Sequence, residues 1–409
     1  MISTQSHLFQ TLRTLCFSVS KHSKPPLNAF KNTILLMKII GMWKYKTESP
    51  FYKTYKYIMT IYVFLTCILC LVYTYKKYND PQAIFFISYL PSIFTVPIKL
   101  VMFPIYSEKI KQLLDILDPQ KAVIRTENQK KILENSIKLS NKIFNLFGGS
   151  FVAAAVGITA TPLSERNQVL RFYEWFPMDY SKDVVYYGIF GGTLCFDFHL
   201  IAVNAAGDFF FYISAIQIEG RLDLIIDTFL NLEEISAKNE NSNEEQKYKR
   251  MHEIVIECVQ QYNKIIECSQ LLIFCFKEIL INQLICSCLS LMMTMYQLNA
   301  AEPFSLNFFR VIFYGIAMGS EIFLFCYFGN RLIVKCEILY YSIFKSTWYK
   351  APLKIQKDLL IFMQQVQKPV TINVGNIFPL NYDTFKGIMQ KSWSFFVALK
   401  NTQDLRSKN

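Results

Sequence analysis

Charged side chains are scarce in this chain. Of its 409 residues only 18% are Asp, Glu, Lys or Arg, whereas a soluble domain carries about 25%. Hydrophobic residues make up 52% of the chain and aromatic residues 16%. The length alone would suggest two or three soluble domains. The long apolar runs instead predict a single all-α bundle that crosses a membrane.

The sequence also lacks the motifs of enzymes and metal proteins. Its eleven cysteines show no metal-ligand spacing, and Cys67, Cys70, Cys286 and Cys288 lie inside apolar runs, where cysteine behaves as a small hydrophobe. No nucleophile–base constellation and no phosphate-binding loop is found. The net charge of +12 comes from residues between apolar segments, not from a polar basic domain. We expect no catalysis, no cofactor and no nucleic-acid partner.

Seven segments are apolar and about as long as a membrane span, which needs roughly 20 residues. They are residues 55–75, 83–106, 142–162, 184–216, 270–298, 308–330 and 381–400. The second contains Pro91 and Pro97, which neighbouring helices can tolerate in a bundle. Two interpretations of these prolines stay open: a kink that serves packing, or a kink that opens a cavity.

Basic residues crowd alternate connections. Residues 1–54 contain eight, the connection after the second span seven and the connection after the sixth span seven. The connections between the first and second, the third and fourth, and the fifth and sixth spans hold three or fewer. The positive-inside rule therefore predicts a cytosolic N-terminus, and seven spans then place the C-terminus outside. A seven-helix metabotropic (G-protein-coupled) chemoreceptor, the alternative class, has the opposite orientation.

Apolar stripes continue beyond the fourth span and before the fifth. Residues 217–269 carry two such stripes at helical spacing, which are Leu222, Ile225, Ile226, Phe229 and Leu232, then Met251, Ile254, Val255, Cys258, Tyr262 and Ile265. We expect long helical extensions into the cytosol. A further helix after Pro352 would present Leu359, Leu360, Met363 and Val366 on one face. These surfaces form either a helical cap or an oligomerisation hub.

The last span keeps a polar stripe. After a strand-like segment with a turn at Gly375, Asn381 or Asp383 can cap a helix. The side chains on one face of that helix are Asp383, Lys386, Gln390 and Ser394, at three- and four-residue steps. A polar face at membrane depth must meet water or protein. It either lines a channel shared by several copies or makes a buried contact within one bundle.

Ionisable residues inside the other spans are few. Asp197 and His199 lie in the fourth span, where such residues suggest a functional site. They could equally pair with buried neighbours or line the base of a cavity, and the sequence leaves this open. Glu321 in the sixth span is expected to form a structural pair with another residue near the cytosolic boundary.

Three stretches resemble the insect odorant receptor family. They are "LLMKIIGMWKY", around Gly41 and Trp43, "RFYEWFPMDYSKDVVYY", with Trp175, Pro177 and Asp179, and a long C-terminal region beginning "FKSTWYKAPLKIQKDLL". In the C-terminal region the matching residues are Trp348, Gln367, Lys368, Pro369, Gly375, Phe378, Thr384, Phe385, Ser392 and Ser394. The chain lacks the Gln-Phe pair typical of the related gustatory receptors.

This resemblance implies a ligand-gated, non-selective cation channel that binds small volatile odorants. Family members form tetramers, usually heterotetramers with a shared co-receptor, in the plasma membrane of olfactory sensory neuron dendrites. The short acidic linker after the fourth span resembles that of a ligand-tuned subunit. Lys386, Gln390 and Ser394 would then line the pore, and the cytosolic helices would anchor the subunits to one another.

The family resemblance also places the odorant in the outer half of the bundle. With the predicted topology, the candidate ligand contacts are Phe85, Phe86, Tyr89, Ala153, Val156, Thr159, Tyr187, Phe190, Met295, Phe313 and Tyr314. The resulting division of the chain is a cytosolic segment at 1–54, spans one to four at 55–216, a cytosolic extension at 217–269, spans five and six at 270–330, anchor helices and a re-entry turn at 331–380, a pore-lining seventh span at 381–400 and an extracellular tail at 401–409.

Overall fold

The computed structural model describes residues 29–45, 47–76, 83–164, 183–237, 243–300, 302–375 and 378–408. Within these residues the helices are α1 (Lys31–Ile39), α2 (Pro50–Lys76), α3 (Ala83–Ile105), α4 (Ser107–Ile116), α5 (Glu127–Ser164), α6 (Asp183–Leu230), α7 (Leu232–Ser236), α8 (Glu244–Ala300), α9 (Leu306–Lys345), α10 (Leu353–Val366) and α11 (Tyr382–Lys408). Single 3₁₀ turns occur at Pro119–Lys121 and Trp348–Lys350, and strands β1 (Asn373–Val374) and β2 (Phe378–Pro379) form one small hairpin.

Seven of these helices are long, and each covers one predicted span: α2, α3, α5, α6, α8, α9 and α11. In the described residues, parts of α2, α6, α8 and α9 are long and apolar enough to cross a membrane. A fifth span results if α3 and α4, which meet at an angle of 72°, are counted together. The fold is therefore a polytopic bundle of seven long helices, as the apolar runs predicted.

Helix α6 lies at the centre of the bundle because it is apolar on every side. Of the most apolar 18-residue stretch within Leu194–Leu230, 83% is buried, whereas the equivalent stretch of α2 is only 24% buried. Phe209, Phe210 and Phe211 follow one another in sequence and are all buried, which a helix with one apolar face could not achieve. Helices α1, α3, α5, α8 and α9 all pack against α6.

The two ends of the bundle differ in structure. We call the end where α6 begins, α8 ends and α9 begins the distal end, and the end that carries α7, α10 and the hairpin the basal end. Helices α6 and α8 run uninterrupted from one end to the other. The predicted extensions beyond the apolar spans are therefore confirmed. The predicted stripes are buried, apart from a half-buried Ile254.

Helix α10 closes the basal end with a face that differs by one residue from the prediction. Leu359, Met363 and Val366 are buried, but Leu360 is 47% exposed, so its assignment to this face was wrong. Phe362 takes its place, with its ring 5.4 Å from that of Tyr262. A step of three residues from Leu359 returns to the same side of the helix, whereas a step of one turns by about 100°.

Ion pairs join α6 and α9 at the basal end. Arg331 binds Glu219, and Lys335 Nζ lies 2.6 Å from Asp223 Oδ1. Asn128 Nδ2 of α5 donates to Asp227 Oδ1 of α6 at 2.6 Å. These contacts fix the long basal ends of α5, α6 and α9 relative to one another.

Candidate functional site

A cluster of hydroxyl and aromatic groups lies between α3, α8 and α9 in the distal half. The rings of Tyr89 and Tyr314 are 4.3 Å apart between their centroids. Ser92 Oγ lies 2.7 Å from Tyr314 Oη and 3.3 Å from Ser290 Oγ, and it approaches Met318 Sδ at 3.5 Å. We refer to these five residues as the distal cluster.

Helical spacing brings these residues together. Tyr89 and Ser92 are three residues apart on α3, and Tyr314 and Met318 are four apart on α9, so each pair shares a helix face. Gly315 allows α8 and α9 to approach closely, because a Cβ atom there would lie 3.2 Å from Thr294 Cγ2. Half-buried aromatic rings with a few convergent hydroxyls suit a small, mostly apolar ligand that carries one polar group.

The structure divides the predicted ligand contacts into three groups. Tyr89 and Tyr314 meet in the distal cluster, and Met295 is half-buried on α8. Phe313 is 68% exposed, and we withdraw it from the candidate site because consecutive residues on a helix point about 100° apart. The remaining candidates belong to helices, but their side chains lie outside the described part of the structure: Phe85, Phe86, Ala153, Val156, Thr159, Tyr187 and Phe190.

Ser92, Ser290 and Met318 were not among the ligand contacts predicted from the sequence. Ser92 could have been found, because it follows Tyr89 by three residues and therefore lies on the same face of α3. Ser290 and Met318 join the cluster only through the packing of three helices. The segment with Trp175, Pro177 and Asp179 lies outside the described residues.

Asp197 and His199 lie away from the distal cluster, in the region of α6 that contacts α2. Tyr62 of α2 packs edge-on against Phe196 at 5.2 Å between ring centroids. His199 is buried, and its Nε2 atom has no hydrogen-bond partner within the described residues. Asp197 is half-buried. These two residues are not part of the distal cluster.

Helix α11 has one attached face and one free face. Its start is fixed by Asn381, whose Oδ1 accepts the Thr384 backbone N–H at 2.9 Å. Phe385 packs edge-on against Phe323 of α9, and Ser392 is buried with its Oγ 3.7 Å from Cys288 Sγ of α8. This geometry settles the choice of cap in favour of Asn381.

The polar stripe occupies the free face of α11. Lys386, Gln390 and Ser394 are exposed in the single chain, so the stripe is not a buried contact within one bundle. Trp393 and Val397 are also exposed, at 58% and 38%, and helical geometry puts them on the same side. The stripe is therefore polar but includes two large apolar side chains, which were not predicted from the sequence.

No group of three or more His, Cys, Asp or Glu side chains that could hold a metal ion occurs in the described part of the chain. The candidate groups are hydroxyls and rings at the distal cluster, and amide, ammonium and hydroxyl groups along α11.

Comparison with known proteins identifies the family. The sequence model of the family described as "7tm Odorant receptor" matches residues 81–393. Odorant receptor 33a of Drosophila melanogaster is 24% identical over 384 residues, which is 90% of this chain and 95% of that protein. Odorant receptor 2a of the same species is 22% identical over 71% of this chain and 74% of its own length.

The fold has a close match among solved structures. The insect olfactory receptor OR5 of Machilis hrabei, in a structure in complex with eugenol, superposes with a TM-score of 0.78 at 18% identity, covering 91% of this chain and 97% of that one. The protein is thus a multi-pass helical membrane receptor and not an enzyme. Its family match extends over most of its length, and the chain belongs to the odorant receptor family.

Proposed function

We propose that this protein is the odorant-binding subunit of a ligand-gated, non-selective cation channel. The observation that carries the proposal is the free face of α11, where Lys386, Gln390 and Ser394 are exposed. A polar face is unfavourable against lipid. It becomes favourable when several copies of α11 surround a water-filled axis.

The orientation is part of the proposal. The basal end carries Arg331 and Lys335 together with the basic connections that follow α4 and α9, and the positive-inside rule puts this end in the cytosol. The N-terminus is then cytosolic, the distal cluster faces outward and α11 ends outside the cell. A metabotropic receptor of the G-protein-coupled class would require the reverse.

The proposed ligand is a small volatile organic molecule held at the distal cluster. Tyr89 and Tyr314 would provide apolar contact area, while Ser92 and Ser290 would offer hydrogen bonds. Burial of apolar surface contributes about 25 cal/mol per Å². The binding of eugenol by OR5, as that structure describes, supports a ligand of this size and chemistry. Met295 and the seven distal residues outside the described part stay candidate contacts.

Assembly with further subunits is supported by exposed apolar residues near the basal end. Tyr341, Phe344, Leu353 and Ile361 are each at least 59% exposed. Such residues beyond the membrane indicate an interaction surface. We propose that they contact other subunits in a heterotetramer with the shared odorant receptor co-receptor. The site of action would be the plasma membrane of olfactory neuron dendrites.

The decisive experiment records odorant-evoked current in cells that express this chain with the co-receptor while G-protein signalling is blocked. A channel subunit gives a current that begins without second messengers and disappears when the chain is omitted. A response abolished by the G-protein block would instead establish the metabotropic class. An epitope placed after Lys400 tests the orientation independently, since it must be accessible from outside intact cells.

The ligand site is tested by Tyr89→Ala. We expect a shifted dose–response for at least one odorant in a panel, with unchanged surface expression, because the ring contact with Tyr314 is lost. Phe313→Ala is the matched control, since that ring is exposed. Identical dose–response curves for Tyr89→Ala and the native subunit across the panel would count against the distal cluster as the ligand site.

A further inference from the structure

A second polar cluster lies directly below the distal cluster, toward the basal end. Three of its residues lie seven positions from a residue of the distal cluster on the same helix: Lys99 from Ser92 on α3, Gln283 from Ser290 on α8, and Glu321 from Tyr314 on α9. Helix α6 adds Asn204 and Asp208. Seven residues are almost two helical turns, or about 10.5 Å, and return to the same face. The two polar layers are therefore stacked inside the bundle.

Lys99 and Asp208 form the first half of this lower cluster. Lys99 Nζ lies 2.6 Å from Asp208 Oδ1, and both side chains are almost fully buried. The same ammonium donates to Asn204 Oδ1 at 2.5 Å. The alkyl chain of Lys99 lies against Gly207, where a Cβ atom would come within 3.1 Å of Lys99 Cδ. The ion pair is thus tightly packed and has a fixed geometry.

Glu321 forms the second half, and the cation beside it, Lys99, is already paired with Asp208. Glu321 is 6% exposed and lies beside Asp208, Lys99 and Gln283. No hydrogen bond of ordinary geometry reaches either of its carboxylate oxygens within the described residues, although the Gln283 side chain lies close enough to interact with them. Asp208 Oδ2 and Gln283 Oε1 likewise lack a hydrogen-bond partner within the described residues. With all groups ionised, one ammonium faces two carboxylates in a dry interior. An unpaired buried charge of this kind is strongly unfavourable.

We propose that Glu321 and Asp208 hold one exchangeable proton between them. The protonated carboxyl of Glu321 would donate a hydrogen bond to Asp208 Oδ2, while Asp208 Oδ1 keeps its bond from Lys99. One positive charge, Lys99, then balances one negative charge, Asp208. On deprotonation the proton leaves toward the distal cluster. Two adjacent carboxylates, Asp208 on α6 and Glu321 on α9, then repel each other.

The surroundings give this proton a direction of exchange. Thr95 Oγ1 donates to Asn204 Oδ1 at 3.1 Å, and these residues lie between the lower cluster and Ser92. Below Glu321, the ring of Phe211 contacts those of Phe276 and Phe325, with centroids 5.5 and 5.1 Å apart. Hydroxyl and amide groups therefore connect the pair with the distal side, and an aromatic layer separates it from the basal side.

Each packed element brings a titratable or charged group toward the pair. These groups are Lys99 from α3, Tyr212 from α6, Cys286 from α8 and Tyr314 from α9. Lys99 is bound to Asp208 and Asn204, and Tyr314 to Ser92. Tyr212 Oη donates to the backbone carbonyl of Glu321 at 3.4 Å. Phenol and thiol groups bring no positive charge, so a proton on the carboxyl pair balances the cluster with the groups that the described residues supply.

The first test rests on the proposed channel function. Odorant-evoked current is measured with the external solution between pH 5.5 and 8.5. We expect the midpoint of the dose–response to move by at least about fivefold across this range, the lower end of usual coupling between sites. Glu321→Gln keeps the shape of the protonated group and cannot lose a proton. Its midpoint should equal the acid limit of the native subunit at every pH.

The matched control is Glu302→Gln, the same chemical change at an exposed distal residue. It should keep the pH dependence of the native subunit. A dependence that survives unchanged in Glu321→Gln would overturn the proposal. So would a native response that does not vary with pH.

The second test requires no current, so its failure is distinguishable from failure of the channel function. Infrared difference spectra of the purified protein in lipid discs are recorded while the pH is raised. We expect the carbonyl band of a protonated carboxylic acid to disappear, and Glu321→Gln to lack that band. Absence of the band in the native protein at all pH values would refute the shared proton. The melting temperature is also measured against sodium concentration at fixed pH. If it depends on sodium and not on pH, the site binds an alkali ion, and the shared proton is refuted.

Discussion

Gly329 of α9 lies directly against Leu380, the residue that links the basal hairpin to α11. A Cβ atom at Gly329 would lie 2.6 Å from Leu380 Cβ and would overlap the Leu380 carbonyl oxygen. Leu380 is fully buried, and its backbone N–H donates to Ile372 O at 2.8 Å. The missing side chain of one glycine therefore sets where α11 begins.

Gly329→Ala tests this relationship. The added methyl group must displace the hairpin, and overpacking of this kind destabilises a protein by about 1–3 kcal/mol. Because the same movement shifts α11, we expect a large loss of odorant-evoked current, together with a lower melting temperature. Gly319→Ala on the same helix is the control, because no atom lies within 4 Å of a Cβ there. Equal currents from the two variants would contradict the role of the contact.

Tyr314→Phe tests the hydroxyl network of the distal cluster. The change removes the 2.7 Å contact with Ser92 and keeps the ring. A hydrogen bond contributes about 0.5–1.5 kcal/mol, which corresponds to about two- to tenfold in the midpoint of the dose–response. Odorants with a hydroxyl or carbonyl group should be affected more than hydrocarbons. Tyr75→Phe, the same change at a residue of α2 that is 82% exposed, should leave every midpoint in place.

The sequence predicts those features that depend on local spacing. The stripe with Leu222 and Phe229 has a clear helical period and is buried as predicted. The turn at Gly375 has a φ of +59°, as a glycine between two short strands suggests. Gly41, which the family resemblance selected, also has a positive φ, at +83°.

Contacts between distant residues could not be predicted in this way. Lys99 and Asp208 are single charges inside apolar runs, 109 residues apart, and neither run indicates a partner. Glu321 was expected near the cytosolic boundary as a structural pair, but it lies inside the bundle beside Asp208. One helix shows which residues share a face, and only the packing of several helices shows what that face meets.

Cys258 provides a test of the packing of the basal helices. Cys258 belongs to α8, and its thiol is buried against the neighbouring helices. This burial raises the pKa of the thiol to about 12. At pH 7 to 8.5 the reactive thiolate is therefore a very small fraction, and the thiol is almost entirely protonated as well as inaccessible. We expect it to react with a maleimide only as fast as the protein unfolds. An engineered Gln260→Cys, exposed two residues away, should react within minutes. Rapid labelling of Cys258 in folded protein would show that these helices open.

Three positions on α11 separate a pore-facing surface from an attached one. Cysteine is introduced singly at Gln390, Ser394 and Ser392, and a charged, membrane-impermeant thiol reagent is applied during odorant stimulation. Gln390 and Ser394 lie on the free face, while Ser392 is buried against Cys288. If the free face lines a conducting path, the reagent places a charge in that path and changes the current through Gln390→Cys and Ser394→Cys channels. The current through Ser392→Cys channels should match that of the native subunit. The native subunit, treated with the same reagent, is the control for reaction of the cysteines that the chain already contains. Modification of Ser392→Cys alone would reverse the assignment of the two faces, and the channel axis would then have to lie on the side of α11 that contacts α8.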